Sequence, residues 1–590
     1  MTYATSSFRR TARALGVVVG LATVVGVAPL AAPPASAAVA TVAGSSAVAA
    51  TAGRDLARTS SYVVPVGSKF VSTTGSDTAA GTSTAPLRTL AQAVKSVPAG
   101  GTVVMRAGSY HESVEVPIYK KVAIMSYPGE TVWLDGSRTL TAWTAEGTAW
   151  RTAWDVPMDH TTSQAATTAE APLASYPEQV FLDGLALKQV GSRTAVTAGT
   201  FWVDTTNKRL YVGSSPTGHE VRSSDLDEAL YFNQGDGSSL RGIGVRRYAV
   251  PHSRMGAVKA YADDMLIQDV AIVDNSTTGL SMDGARITVR NSTVSRNGKL
   301  GIGGQHADSL VLQGNRVEGN NSEHFDTLPV AGGVKVTRSR TVLVKGNVVS
   351  DNWGKALWFD ESCKDIQVLS NRLQRNYRHG VELEISAIAL VANNLITDNA
   401  SVGVQVVDTD RTRIYNNTFV NNKRHIDIVD TTRVITDMTV PGHDGRYPSD
   451  PDMTWVIRSG TVRNNIMQGA AEGTQSLVQV NDATQKRTGA QMGVSINYDA
   501  YYRATTTSPA WLAVWSNYPS SPGVPTTLLD LRTRFAQEVS GRERVGGTPW
   551  VSGTEYAVTD PAALPLAVAL PTDIASLLGS TTAVRVGLVG

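Results

Sequence analysis

Asn315-Arg316-Val317-Glu318-Gly319-Asn320, Asn347-Val348-Val349-Ser350-Asp351-Asn352, Asn371-Arg372-Leu373-Gln374-Arg375-Asn376, Asn394-Leu395-Ile396-Thr397-Asp398-Asn399 and Asn417-Thr418-Phe419-Val420-Asn421-Asn422 are the stretches that decide the fold. Each frames a short run between two asparagines five residues apart, and the frame recurs at intervals of 32, 24, 23 and 23 residues. A fixed period of this size marks a stacked architecture. Between the frames lie further β-rich runs, such as Val342-Leu343-Val344, Ile366-Gln367-Val368 and Thr412-Arg413-Ile414, and no helical period survives across them. One such interval accommodates three short strands, at ~3.3 Å per residue, plus their turns. Asparagine at a fixed turn tolerates left-handed backbone and hydrogen-bonds a neighbour's main chain, so it can recur once per coil. The competing repeat is a leucine-rich solenoid, whose leucine consensus is absent. The fold class expected is all-β, a right-handed parallel β-helix.

Outward from this core, Pro86 to Val97 carries Leu87, Leu90, Ala91, Val94 and Val97 at helical spacing. Such a helix would cap the N-terminal mouth of the solenoid. Gly101-Thr102-Val103-Val104-Met105 follows as a first strand. Phe70-Val71-Ser72 with Gly75-Ser76-Asp77, then Pro86-Leu87-Arg88-Thr89-Leu90 and Arg106-Ala107-Gly108-Ser109-Tyr110, resemble extracellular pectin-lyase-like β-helix proteins. The repeat vanishes over 139–230. There Trp143, Trp150 and Trp154 precede two hairpin-like runs, 179–184 and 199–212, which read as an inserted small β-domain with its aromatics in a core. Beyond about Asp430 the rungs become irregular. The organisation expected is a leader over 1–37, a flexible N-terminus over 38–61, a cap and first coils over 62–138, the insert over 139–230, the helix proper over 231–500, and a segment over 501–590 that packs along the solenoid or caps it.

The leader reading rests on Arg9, Arg10 and Arg13, an apolar run from Leu15 to Leu30 and the small-residue signature Ala35-Ser36-Ala37. The run is short and wrongly flanked for a transmembrane anchor, so a secreted, extracellular protein without a membrane anchor is expected. Cys363 is the single cysteine, so no intrachain disulfide can form. With 53 Lys+Arg against 51 Asp+Glu, the chain has no basic excess of the kind that marks a nucleic-acid binder. A monomer is expected.

The chemistry follows from the period. Gly333-Val334-Lys335-Val336-Thr337, Ala356-Leu357-Trp358-Phe359-Asp360, Gly380-Val381-Glu382-Leu383-Glu384 and Gly403-Val404-Gln405-Val406-Val407 align as consecutive strands. Side chains alternate between faces, so Val334, Leu357, Val381 and Val404 form one inward stack and Val336, Phe359, Leu383 and Val406 another. The outward columns are then Lys335, Trp358, Glu382, Gln405 and, beside it, Thr337, Asp360, Glu384, Val407. Asp360 and Glu384 thus face solvent from adjacent coils, ~4.7–4.9 Å apart. That is close to the ~5–5.5 Å of retaining glycosidases and short of the ~6.5–9.5 Å of inverting ones. Two like charges that close repel by about 3 kcal/mol at an effective dielectric near 20, enough to keep one carboxyl protonated near neutrality. One carboxylate would be the nucleophile and the other the acid, then base. Lys335 could hold a substrate hydroxyl or the nucleophile, and Trp358 could offer a face to a sugar ring. Glu382 and Gln405 would line the same cleft, as would His324 from the one long interval, between Asn320 and Asn352.

Lys335 in a Gly-x-Lys strand, Leu357-Trp358-Phe359-Asp360 and the Glu384 strand resemble the signature of β-helix β-xylosidases, as does the 199–212 run. The resemblance implies Asp360 as nucleophile and Glu384 as acid/base, on a poly- or oligosaccharide. Glu361 after Asp360, and Ile385-Ser386 after Glu384, depart from that family's pattern. Two other classes remain open. In a calcium-dependent polysaccharide lyase, Lys335 would abstract the proton beside a uronate carboxylate, Asp360, Glu382 and Glu384 would be Ca²⁺ ligands, and Arg338 and Arg340 would bind substrate carboxylates. A non-catalytic carbohydrate-binding solenoid is the third. The hydrolase needs no cofactor. His306, His324, His379 and His425 lack metal-ligand spacing and read as surface or turn residues, and Cys363 as a buried small residue.

Overall fold

The computed structural model describes residues 62–161, 167–436, 439–565, 567–580 and 586–588. The leader and the flexible N-terminus expected over 1–61 lie outside the described residues. Three sheets of 13, 12 and 13 strands run between Lys69 and Val545, every pairing within them parallel and each coil giving one strand to each sheet. This is a parallel β-helix. Its interior is filled as the alternation requires: Val334, Leu357, Val381, Val404 and Ile426 stack in register, as do Val336, Phe359, Leu383, Val406 and Ile428, none more than 3% exposed.

The asparagines form two buried ladders. In the inner one, Asn371 Oδ1 accepts from the backbone N and the Nδ2 of Asn347, both at 2.9 Å, while Asn371 Nδ2 donates to Asn394 Oδ1 at 3.0 Å and to the Val344 carbonyl at 2.9 Å. The outer ladder, through Asn320, Asn352, Asn376, Asn399 and Asn422, repeats this pattern. Each turn therefore satisfies its buried polar groups with those of the next coil. The left-handed backbone expected at the ladder asparagines falls one residue earlier, on Gly346, Ser370, Asn393 and Asn416 at φ 53–67°. A residue bent outward there turns the following Asn side chain into the core.

The N-terminal cap is a helix over Leu90–Ser96 whose first turn is held by the Thr89 hydroxyl and by both oxygens of Glu112. Leu90, Ala93 and Val94 are its buried face, and Ala91 points to solvent instead. At the other end a helix over Leu528–Phe535 places Leu528 and Leu531 against the same core. Solenoid strands continue well beyond residue 500, to Trp511–Trp515 and Arg542–Val545. The repeat is hard to see there because the inner ladder steps 48 and then 34 residues, from Asn417 to Asn465 to Asp499. The described residues past 546 lie along the outside, where Ile574 covers Leu369, Leu390 and Tyr415.

Between solenoid strands Val132–Asp135 and Leu230–Asn233, the chain leaves the coil and builds two small sheets, of four and five strands. Their core is Leu140, Trp154, Val180, Phe201, Leu210, Val212 and Val221.

Candidate functional site

Strands Gly332–Thr337, Lys355–Asp360, Val381–Glu384 and Val402–Val407 lie side by side in the 12-stranded sheet. Their register sets Lys335 beside Trp358, Trp358 beside Glu382 and Glu382 beside Gln405. Phe359 pairs with Leu383, so Asp360 and Glu384 are neighbours one position further on. The outward face is not simply solvated at this point. Lys335, Trp358, Asp360 and Glu382 are each 4–8% exposed, and Glu384 and Gln405 are half-buried.

The charges interlock. Lys335 Nζ lies 2.8 Å from Asp360 Oδ2, donates to the Pro329 carbonyl at 2.7 Å and rests 3.5 Å from the centre of the Trp358 ring. Lys355 sets its own ammonium 3.0 Å from that ring and pairs with Glu382. Asp360 Oδ1 accepts the backbone N–H of Glu361, whose carboxylate pairs with Arg338 at 3.0 Å. Glu384 accepts from Trp358 Nε1 at 3.0 Å and from Arg433 Nη1 at 2.6 Å. Arg433 Nε reaches Asp408 at 2.8 Å, which Thr431 holds from below.

Burial, then the neighbouring Asp360 and Glu382, push the Glu384 carboxyl up from its ordinary value, against the pull of Lys355 and Arg433. Burial first, then Asp360, also raises Glu361. The Lys355 ammonium is pushed down by burial. Five carboxylates (Asp360, Glu361, Glu382, Glu384, Asp408) thus face four cations (Lys335, Lys355, Arg338, Arg433).

Two interruptions of the repeat wall the site. On one side, the long interval folds over the sheet edge: Pro329 meets Lys335, Thr327 accepts from Arg378, and Phe325 and Ala331 pack on Ala174 of the insert. On the other, the excursion after strand Arg424–Asp430 seats Ile435, Val440, Met453 and Trp455 on Ile385 and Ala387 and delivers Arg433 to Glu384.

Several expected roles change. Trp358 presents no open face to a sugar, because both ammoniums crowd its ring. Glu382 is taken up by Lys355. His324 lies outside the network; its ring stacks on Trp353 at 4.1 Å, and Trp353 on Tyr377 at 3.8 Å. Arg338 serves Glu361, and Arg340 pairs with Asp450 at 2.6 Å, so neither is free for a substrate carboxylate. His425, expected at the surface, is fully buried and bonds the Gly469 carbonyl at 2.7 Å. Asp360, Glu382 and Glu384 fit calcium poorly: each already faces a protein cation, and no group of three His, Cys, Asp or Glu among the described residues is arranged to hold a metal ion.

Sequence reasoning missed Lys355, Glu361, Asp408 and Arg433. Lys355 and Glu361 flank a strand already singled out and could have been found there. Nothing in the local pattern points to Arg433.

A family model described as "Right handed beta helix region" matches residues 245–328 and 266–422, and a model of a family of unknown function matches residues 73–122. The solved complex of XylC with xylose superposes with a TM-score of 0.55 at 16% identity, covering 74% of this chain and 83% of that one. Among curated proteins, the uncharacterized protein YwoF of Bacillus subtilis (strain 168) is 38% identical over 77 residues, 12% of this chain and 16% of its own. Pectate lyase PEL9 of Emericella nidulans is 38% identical over 73 residues, 11% of this chain and 18% of its own. The chain thus spans less than a fifth of the length of these relatives. The coils, their register and these likenesses together establish a pectin-lyase-like, right-handed parallel β-helix.

Proposed function

We propose that this protein is a carbohydrate-active enzyme, a retaining glycoside hydrolase acting on a plant-type poly- or oligosaccharide. The observation that carries the reading is the recessed pair Asp360 and Glu384, adjacent in register and held in opposite environments. Asp360 pairs with Lys335 and accepts the Glu361 N–H. Burial and its neighbouring carboxylates push the Glu384 carboxyl up. A carboxyl raised in this way beside one held in an ion pair suits the division into acid and nucleophile. Their spacing on neighbouring strands, ~4.7–4.9 Å, suits the ~5–5.5 Å of a double displacement.

In the first step Glu384 gives its proton to the glycosidic oxygen while Asp360 attacks the anomeric carbon; the bond to the leaving group breaks and an ester forms. In the second, Glu384 takes a proton from water, whose oxygen attacks the same carbon and releases Asp360. Trp358 Nε1 and Arg433 orient Glu384, and Lys335 orients Asp360. No metal takes part, since protein cations already occupy the carboxylates. XylC, solved with xylose, supports a pentoside among the candidate substrates. The leader-like N-terminus supports secretion of the protein, and no described helix is long and apolar enough to cross a membrane.

One observation favours a second reading. Burial pushes the Lys355 ammonium down, against the pull of Glu382 and Glu384, and a lysine set beside carboxylates on this face has the chemistry of a base in an eliminating lyase. A panel of xylo-, arabino- and galacturono-oligosaccharides, read by mass spectrometry and proton NMR with and without EDTA, separates the two. The hydrolase gives products heavier by one water with retained anomeric configuration, unaffected by EDTA and reduced by roughly 10²–10⁴-fold in Glu384→Gln. Unsaturated products without added water, lost in Lys355→Met, overturn it.

A further inference from the structure

The outward column that holds Asp360 and Glu384 does not end with them. It continues through Val407 and Val429 to Asn481, three coils beyond Glu384. Both valines are half-buried, as Glu384 is, so uncharged side chains line the sheet face in this direction. In the other direction it passes Thr337, Gln305 and Asp283, and there the neighbouring column, through Lys335 and Gly303, is covered. The Met255 methyl sits over Gly303, 3.6 Å from where a Cβ would project. Lys299 is tied to His252, which stacks on Phe325, and Pro329 closes over Lys335. A linear substrate that places its reacting bond at Asp360 and Glu384 can therefore extend along the column toward Asn481.

At Asn481 the open face reaches a hollow of about 260 Å³, bounded by the turns after strands Ser476–Asp482 and Trp511–Trp515. Asn481, Gln485 and Asn517 line it, with Tyr518 at its rim, 44% exposed. Among the described residues, none of the three side-chain amides has a hydrogen-bond partner within the chain. Asp482 has spent its carboxylate on the turn itself, accepting from Thr484, Lys486 and Arg487. Apart from the buried Asp482 carboxylate, the lining is thus uncharged, with free donors and acceptors and one aromatic edge. That is the chemistry that recognises a neutral sugar ring.

We propose that this hollow is a distal subsite for a neutral oligosaccharide whose far end lies at Asp360 and Glu384. The inference rests on the proposed reaction for its direction, and on the hollow's own lining for its ligand. Three coils at ~4.8 Å place Asn481 about 14 Å from Glu384, and a pyranose unit in a linear chain advances by nearly one coil height. The subsite therefore touches a substrate of four or more units and leaves a disaccharide alone.

The test compares the full chain with Tyr518→Ala and Asn481→Ala on xylo-, arabino- and galacturono-oligosaccharides of two and six units. Hydrolysis is followed in the active protein and binding by calorimetry in Asp360→Asn. The expected result is a roughly tenfold loss of kcat/KM or affinity on a neutral hexamer, with the dimer unchanged. Hydrolysis of hexamer and dimer in the same ratio in all three proteins overturns the subsite and leaves the hydrolase standing. Binding of a neutral hexamer that is lost in Tyr518→Ala, with no cleavage, keeps the subsite and overturns the hydrolase. A protein that neither binds nor cuts any member of the panel overturns both.

Discussion

Removing Arg433 should move the alkaline limb of the pH–rate profile to higher pH. Arg433 Nη1 sits 2.6 Å from Glu384 and is among the groups that hold its carboxyl down against burial and two neighbouring carboxylates. With charge centres about 4 Å apart and an effective dielectric near 20, the pair is worth about 4 kcal/mol before screening. The guanidinium is a third exposed, and truncation lets water reach Glu384, so most of that is offset. A rise of about one pKa unit, ~1.4 kcal/mol, is the net expectation. Glu384 must be protonated to act as the acid, so kcat/KM falls as pH rises through its pKa, and a raised pKa shifts that fall to higher pH. Asp408, which also binds Arg433, is fully buried at its side chain and would be orphaned. The measurement therefore uses Arg433→Ala with Asp408→Asn, with Arg433→Lys as the control that restores the limb. An alkaline limb that stays in place in the double variant, or moves down, refutes the assignment of Glu384 as the acid.

Two further expectations concern the scaffold. Asn371→Ala removes the acceptor of two Asn347 donors and the donor to Asn394 and Val344, all buried. Unmade buried bonds cost about 1–3 kcal/mol each, so urea denaturation should show a loss of at least about 3 kcal/mol; a loss below ~1 kcal/mol would mean the ladder carries no stability. At the ladder's far end Asp499 accepts from Asn465 and lies beside Glu538, and burial pushes its carboxyl up to about 6. The folded chain then binds more protons than the unfolded one between pH ~4 and 6, so this site's contribution to stability falls as pH rises through that window. Asp499→Asn, which continues the ladder, should raise Tm at pH 8 more than at pH 5; equal changes at both would refute it.

The coil period, the inward stacks and the Asp360–Glu384 adjacency were legible in the sequence because all three depend on a two-residue alternation carried through equal intervals. Lys355 escaped because the alternation slips just there. Ala356 and Leu357 both enter the core, and the pairing passes from Gly332 and Lys355 directly to Val334 and Leu357, which turns Lys355 outward. Arg433 escaped for a different reason: it lies in an excursion between strands Arg424–Asp430 and Gly460–Arg463, and no local pattern says over which face such a loop will fold. The last coils were hidden because Asp499 takes the place of an asparagine after two unequal steps.

The charge cluster is not something the solenoid requires. The Lys335 column holds Ser281 and Gly303 on earlier coils, and the Asp360 column holds Val407 and Val429 on later ones, with single acids at Asp427 and Asp283, and those coils pair in register just as well. Burying ion pairs where small or apolar residues suffice brings little stability, because desolvation offsets most of the attraction. Yet carboxylates and cations gather on three successive strands, and the long interval, the insert and the Arg433 excursion converge on those strands. Regular coils fix where each side chain can point, and the departures from regularity wall in and charge one place along them. A site assembled from what the repeat does not need is best explained by chemistry performed there.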